Sequence, residues 1–349
     1  MATALSSLNE KLENGNDLDV SEVQFIASEL LNEGVDPGVK ADLLAKLAEK
    51  GETATEIAAF VDAFLERAVK PNLDKASLNG LTIDVCGTGG DKLNLFNVST
   101  SCIFVLAAAG LSVVKHGNRG ITSKSGGADV LESLGVKIDL PPDQFVECLK
   151  STGVGFLFAP HYHPAFKAVI PVRKELAERG VRTVFNILGP LLNPVKPDFQ
   201  LVGVFSEELP PVFAEILAKL GRKRAWAVHG KTADGRAMDE LSTMGPTIVA
   251  SIQDQEAVEV TEILASDFGI EPPALEEVAG GDAAANAAIL EGILDGTVQG
   301  PKRDLVLLNS AAGLVIAGKA PNLEVGIPLA AEMIDSKAAL AKLDAMRNF

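Results

Sequence analysis

The chain has 349 residues, 47% of them hydrophobic and 22% charged, which is enough apolar material for a large core and too much for a disordered polymer. With 31 Lys and Arg against 47 Asp and Glu the net charge is −16, which argues against nucleic acid and anionic membrane as partners over most of the surface. The same balance disfavours small anionic ligands, an inference that the local sequence contradicts.

The N-terminal region reads as helical. Residues 20–33 carry Val23, Ile26, Ala27, Leu30 and Leu31 at helical spacing, with Gly34 as a stop. Residues 37–50 repeat the pattern with Leu43, Leu44 and Leu47 before Gly51, and Thr53 opens a third helix with Ile57, Phe60, Val61 and Phe64. Amphipathic helices joined by brief turns predict a bundle. Beyond a linker at 71–80 the texture changes. Strands are predicted at 81–86, 112–115, 156–159, 201–205 and 224–229, and helices from 99 or 100 to 110, at 128–134 and at 210–220. Alanine- and leucine-rich helices at 282–294, 304–318 and 324–346 close the chain. This alternation is α/β grammar.

The three cysteines, Cys86, Cys102 and Cys148, form no CxxC pair, so buried thiols in a reducing compartment are expected rather than a disulfide framework or a zinc site. The N-terminal residues have neither a basic start nor an apolar stretch, so no signal peptide is expected. The longest uncharged run, 93–114, is broken by Asn94, Asn97, Ser99, Thr100, Ser101 and Gly110 and is too short in its apolar part to span a bilayer. The expectation is a soluble, cytoplasmic protein.

The most informative stretch is 84–100, DVCGTGGDKLNLFNVST. A predicted strand runs into Gly87, Gly89 and Gly90 and then into a helix start carrying Asn97, Ser99 and Thr100. Glycines allow close backbone approach to a ligand, and a helix N-terminus offers N–H groups and partial positive charge, so this is a candidate phosphate or pyrophosphate cradle. A plain strand-to-helix turn with a Ser/Thr cap reads equally well here, since neither GxGxxG nor GKS/GKT is present. A second loop, KHGNRGITSKSGGAD at 115–129, follows another predicted strand. From Lys92 to Ala128 there is no acidic residue, but there are Lys92, Lys115, Arg119 and Lys124. Two glycine-rich polar loops, each behind a strand, favour the ligand-binding reading.

GTGGD, FNVST, KHGNR with SKSG.AD, and FNILGPLLNP together resemble the anthranilate phosphoribosyltransferase family, over about residues 20–345. The resemblance implies the fold of the class II nucleoside phosphorylases: an α/β protein with a small all-helical domain plus a larger α/β domain, whose central sheet is flanked by helices. It implies domains of 1–78 with 172–197 and of 79–171 with 198–349, and a homodimer through the helical domain. The implied activity joins anthranilate to the ribose of phosphoribosyl pyrophosphate with Mg²⁺, in tryptophan biosynthesis. Alternatives are a related phosphoribosyltransferase with another aromatic acceptor and a class II nucleoside phosphorylase. A nucleic-acid-binding relative on this fold is disfavoured by the net charge.

Carried over by resemblance, Gly87, Gly90 and Asp91 line the pyrophosphate and ribose end, and Asn97, Val98, Ser99 and Thr100 hold phosphate. Lys115, His116, Gly117, Asn118, Arg119 and Ser123 wrap the other side. Asp239 and Glu240, with Ser99, correspond to the Mg²⁺ site, and adjacent carboxylates suit a hard cation that keeps waters and grips phosphates. Gly87, Asn118, His163 and Arg173 are implied to meet anthranilate, whose carboxylate a guanidinium grips bidentately. His161 and His163 are spaced as a metal pair, but no cysteine or third histidine lies near them in sequence, so zinc is not expected. No obligatory general base is assigned, since an aromatic amine is already neutral at pH 7. The chain departs from the family pattern at Lys92 (glycine), Leu95 (threonine), Gly120 (alanine) and Gly127 (serine), and its 173–182 segment is longer than the pattern by about one helical turn of 3.6 residues.

Overall fold

The computed structural model describes residues 2–120, 124–254 and 256–349. The chain divides into two units, one formed by Met1–Val69 with Pro160–Pro194 and the other by Lys70–Ala159 with Val195–Phe349.

In the first unit each N-terminal helix has a local reason to start. Asp19 and Thr53 form capping boxes with Glu22 and Glu56 ahead of the helices Val20–Leu31 and Ala54–Glu66, and Asp36 caps Pro37–Lys50. Gly51, at φ 84°, ends the last of these. Burial pushes the Glu56 carboxyl up, but bonds from Lys50, Thr53 and Leu18 outweigh it and hold it below the usual range. A further helix, Ala2–Glu13, precedes the three predicted ones.

The second segment of this unit begins at Pro160, not at 172, and the first ends at Val69, not 78. The reason is aromatic packing. The Phe166 ring meets Phe64 edge-on at 5.1 Å and Phe185 at 5.7 Å, and the Val69 N–H donates to the Tyr162 carbonyl. Residues 160–171 thus pack with the helices.

The second unit holds an eight-stranded mixed sheet flanked by helices, as the α/β pattern requires. Its strands are β1 (Thr82–Gly87), β2 (Ser112–Gly117), β3 (Val154–Phe158), β4 (Phe199–Gly203), β5 (Arg224–Lys231), β6 (Ala237–Met238), β7 (Thr247–Gln253) and β8 (Glu259–Ile263). The order is β3-β2-β1-β4-β5-β7-β8, with β6 paired to β5. The first five strands run parallel, and β6, β7 and β8 are antiparallel additions. From β1 the chain crosses to β2 on one side, whereas β4 lies on the other. The gap between the C-terminal ends of β1 and β4 is therefore the topological switch point, where open α/β sheets leave a crevice for ligands. The two residues paired there are both glycines, Gly87 and Gly203.

Beyond the elements expected from sequence, the structure has β7, β8 and the helix Pro142–Thr152, and the expected helix at 324–346 is two helices, separated near Lys337 at φ 64°. Cys86, Cys102 and Cys148 are free and buried, as expected. Among the described residues, no helix is long and apolar enough to cross a membrane.

Candidate active site

The glycines at the strand ends make room for one segment. A Cβ at Gly203 would collide with the main chain of Asp239, and one at Gly87 would collide with the Asp239 carboxyl. A Cβ on Gly230, in β5, would collide with the Glu240 carbonyl and lie 2.9 Å from the Ser242 Cβ. Three glycines on neighbouring strands thus let residues 239–242 lie directly across the switch point. The segment is pinned from below by Asn309, fully buried in the helix Pro301–Ile316. Its amide accepts from the Leu241 N–H and donates to the Leu241 carbonyl, both at 2.9 Å.

This seating brings three carboxyls together. The Asp239 Oδ2 accepts from the Gly89 N–H at 2.6 Å, and the Asp91 carboxyl lies close enough for its charge to act on Asp239. Burial, then the neighbouring Asp91 charge, pushes the Asp239 carboxyl well above the usual range. Burial, then Asp239, does the same to Glu240, and burial raises Asp91. Among the described residues no three His, Cys, Asp or Glu side chains complete a metal cage. Asp239 and Glu240 instead offer hard oxygens beside the Ser99 hydroxyl. Such a donor set fits Mg²⁺, which takes one or two carboxylates and fills its shell with water and substrate oxygens.

Around the carboxyls lie the two glycine-rich loops. The helix Val98–Ala108 starts beneath them, and its Ser99 N–H donates to Glu240 Oε1 at 3.3 Å. Lys115, 4% exposed, donates to the Val85 carbonyl at 2.7 Å and to the Ser99 hydroxyl at 3.3 Å. Gly127 lets the other loop close in, since a Cβ there would lie 2.9 Å from the buried Thr100 hydroxyl and 3.5 Å from Lys115 Cε. The serine of the family pattern would need Thr100 to move.

Several side chains predicted to touch phosphate have other partners here. Asn97 makes no helix-cap bond; it donates to the Ser125 carbonyl at 3.2 Å and accepts from Asn286 at 2.9 Å, tying the two glycine-rich loops to the helix Ala283–Leu294. Val98 is buried, and its N–H donates to the Phe96 carbonyl. The His116 N–H donates to the buried Asp84 carboxyl at 3.4 Å, and the Phe156 ring lies against Gly117. Asn118 accepts the Arg119 N–H at its side chain and the Ala128 N–H at its carbonyl. Arg119 is half-exposed and bridges Asp129 (3.0 Å) and Glu132 (2.7 Å), with its guanidinium over the Phe158 ring. The stretch that lacks acids in sequence is therefore not acid-free in space: Asp129 and Glu132 engage Arg119, and Glu240 faces Lys115. Ser123 lies outside the described residues.

In the helical unit, Arg173 and His163 share one aromatic cluster. The Arg173 guanidinium lies over Phe185 at 5.3 Å, with no hydrogen bond or ion pair among the described residues, and burial pulls its pKa down. The His163 ring packs on Phe166, and its Nε2 pairs with the Leu192 carbonyl at 2.9 Å. Burial, opposed by that bond, lowers its pKa to about 4, so the ring is neutral. His229, at the end of β5, pairs its Nδ1 with the Val204 carbonyl.

Residues 79–340 match the glycosyl transferase family a/b domain, and residues 6–68 match that family's helical bundle domain. An anthranilate phosphoribosyltransferase of Haloferax volcanii is 45% identical over 339 residues, covering 97% of this chain and 98% of the relative. One of Anaeromyxobacter dehalogenans is 44% identical, covering 95% of each. The crystal structure of the Thermus thermophilus enzyme superposes with a TM-score of 0.87 at 38% identity, covering 97% of this chain and 98% of that one. The Saccharomyces cerevisiae enzyme in complex with PRPP and Mg gives 0.88 at 30% identity, covering 100% and 98%. The chain belongs to the anthranilate phosphoribosyltransferase family.

Within this anthranilate phosphoribosyltransferase fold, the structure brings Gly87, Asp91, Ser99, Lys115, Asp239 and Glu240 to one place at the switch point. Gly203, Gly230 and Asn309, which seat the carboxylates, are not among the residues expected from sequence. Their sequence signal is a glycine inside the apolar run 201–205, for Gly203, and a glycine following His229, for Gly230. Asn309, inside a helix, carried none.

Proposed function

We propose that the chain transfers the phosphoribosyl group of phosphoribosyl pyrophosphate to the amine of anthranilate, giving N-(5-phosphoribosyl)anthranilate and pyrophosphate, in tryptophan biosynthesis. The observation that carries this reading is the carboxylate segment seated by glycines at the switch point of a chain 45% identical to an enzyme of that name. The anthranilate nitrogen attacks C1 of the ribose, the bond from C1 to the pyrophosphate oxygen breaks, and the amine proton passes to solvent. The difficulty lies in the departure of a highly charged group, so stabilising that charge matters more than a general base.

Asp239, Glu240 and Ser99 would hold Mg²⁺, which when bound neutralises charge on the leaving pyrophosphate. Lys115 sets a fixed positive charge beside Ser99, poised by its bond to the Val85 carbonyl. Gly87, Gly90 and Asp91 would line the pyrophosphate and ribose, and main-chain groups of 97–100 and 115–119, with Ser123, would supply further contacts. Arg173 is the proposed grip on the anthranilate carboxylate, since its guanidinium is half-buried and has no hydrogen bond or ion pair among the described residues. Asn118 and Gly87 are proposed to meet the same substrate, and His163 to act there as a neutral packing surface. We also propose a homodimer through the helical unit and a cytoplasmic location. Anthranilate fluorescence should decay only when both phosphoribosyl pyrophosphate and Mg²⁺ are added. Decay independent of the donor, or none at all, would overturn the reading.

A further inference from the structure

Lys92 follows directly on Asp91, and its backbone is left-handed, at φ 60°. Asn94, two residues on, is also left-handed at φ 53°. Glycine takes this conformation without penalty, whereas a lysine Cβ crowds the neighbouring carbonyl. The conformation is imposed from both sides. Upstream, the Leu93 N–H donates to the Asp91 carboxyl at 3.4 Å. Downstream, the Gly280 N–H donates to the Asn94 carbonyl at 2.9 Å, and Leu95 bridges Ala279. A strained residue persists where the surroundings over-determine it, and such residues cluster at ligand sites.

The side chain tells the same story. Lys115 is buried and bonded to the Val85 carbonyl, and Arg119 is paired with two carboxylates. Lys92 is exposed, and among the described residues its ammonium makes no hydrogen bond or ion pair, in a chain with 47 acidic side chains to 31 basic ones. Asp91, next in the chain, belongs to the same site as Asp239 and Glu240, and whatever negative charge these carboxyls keep before Mg²⁺ binds repels an incoming polyanion.

We propose that Lys92 is a donor-binding residue: its free ammonium meets a phosphate of the phosphoribosyl pyrophosphate and offsets the repulsion from the neighbouring carboxylates. The inference rests on the proposed transfer reaction and deepens it. A charge at the rim of a site acts mainly on capture of the ligand and on salt dependence.

The test compares wild type with Lys92→Gln, Lys92→Arg and Lys92→Gly. Donor binding is measured by calorimetry with phosphoribosyl pyrophosphate and Mg²⁺ alone, and steady-state kinetics are measured over a range of ionic strength. Lys92→Gln should weaken donor binding and raise its KM about fivefold, leave kcat nearly unchanged, and flatten the fall of kcat/KM with salt. Lys92→Arg should stay near wild type. Lys92→Gly should lose affinity like the glutamine variant while melting at a higher temperature, which separates the side chain from the backbone. Lys92→Gln or Lys92→Gly binding the donor as tightly as wild type at low salt would overturn the proposal. A wild type that binds the donor but leaves anthranilate untouched would overturn the transfer reading instead, and the Lys92 comparison would still be read from calorimetry.

Discussion

Replacing Gly203 by alanine should unseat Asp239. The added Cβ would sit 3.1 Å from the Asp239 Cα and closer still to its carbonyl group, whereas carbon atoms in contact settle at about 3.5–4.0 Å. Main chain cannot swing aside as a flexible side chain can, and the carbonyl group is nearer than the Cα, so the 239–242 segment must lift off the sheet by more than about 1 Å. Asn309 resists that movement, because lifting Leu241 stretches two buried hydrogen bonds. Overpacking of this kind costs about 1–3 kcal/mol of stability, so a thermal melt separates loss of fold from loss of activity. A misplacement of about 1 Å at the reacting centre lowers the rate about a hundredfold. The assay is anthranilate fluorescence decay at saturating donor and Mg²⁺, beside a thermal melt. A Gly203→Ala protein with wild-type kcat/KM would refute the claim that close approach of Asp239 to β4 builds the site.

Three other outcomes follow from the same geometry. Asp239→Asn combined with Glu240→Gln should lower kcat sharply and shift the Mg²⁺ titration to higher concentration; an unchanged titration would remove both residues from the metal site. Arg173→Ala should raise KM for anthranilate about tenfold or more, with KM for the donor unchanged, as loss of a charge-assisted bidentate contact requires; equal effects on both substrates would argue against a carboxylate grip. His163 has a folded pKa of about 4 against 6.5 for the free side chain, so its proton binds the unfolded chain preferentially. The stability it contributes is complete above pH 6.5 and declines as the pH falls toward 4, by about 3 kcal/mol at most. Urea midpoints of wild type and His163→Gln should converge over that window, and parallel pH profiles would contradict the neutral buried ring.

The parts of the fold that depend on local pattern were legible. Val23, Ile26 and Leu30 mark one helix face, and Thr53 with Glu56 marks a helix start, so the bundle was readable from spacing alone. The helix Pro142–Thr152 was readable too, since Phe145, Cys148, Leu149 and Thr152 fall at helical spacing, but it was passed over. So was β7, a β-branched run at TIVASIQ, whereas β8 is exposed nearly throughout and lacks the alternation that identifies a half-buried strand.

The site divides in the same way. Gly87, Asp91, Ser99 and Lys115 stand out because two glycine loops follow strands. The seating of Asp239 does not, because it arises from strand ends that are far apart in sequence and meet only through the sheet order. Charge counted along a window also misleads. Arg119 sits in a run without acids, yet the chain folds back to put Asp129 and Glu132 against it. The helix start at Ser99 was read as free for phosphate, but its N–H already holds Glu240, so that donor organises the carboxylate.

Phosphoribosyl transfer consumes two substrates together, and a stoichiometric measurement tests that coupling most directly. With purified protein, Mg²⁺, anthranilate and phosphoribosyl pyrophosphate, pyrophosphate release and anthranilate loss should rise together in a one-to-one ratio and stop when either substrate is exhausted. Pyrophosphate released without loss of anthranilate, or nucleoside cleavage driven by inorganic phosphate in place of this reaction, would contradict it.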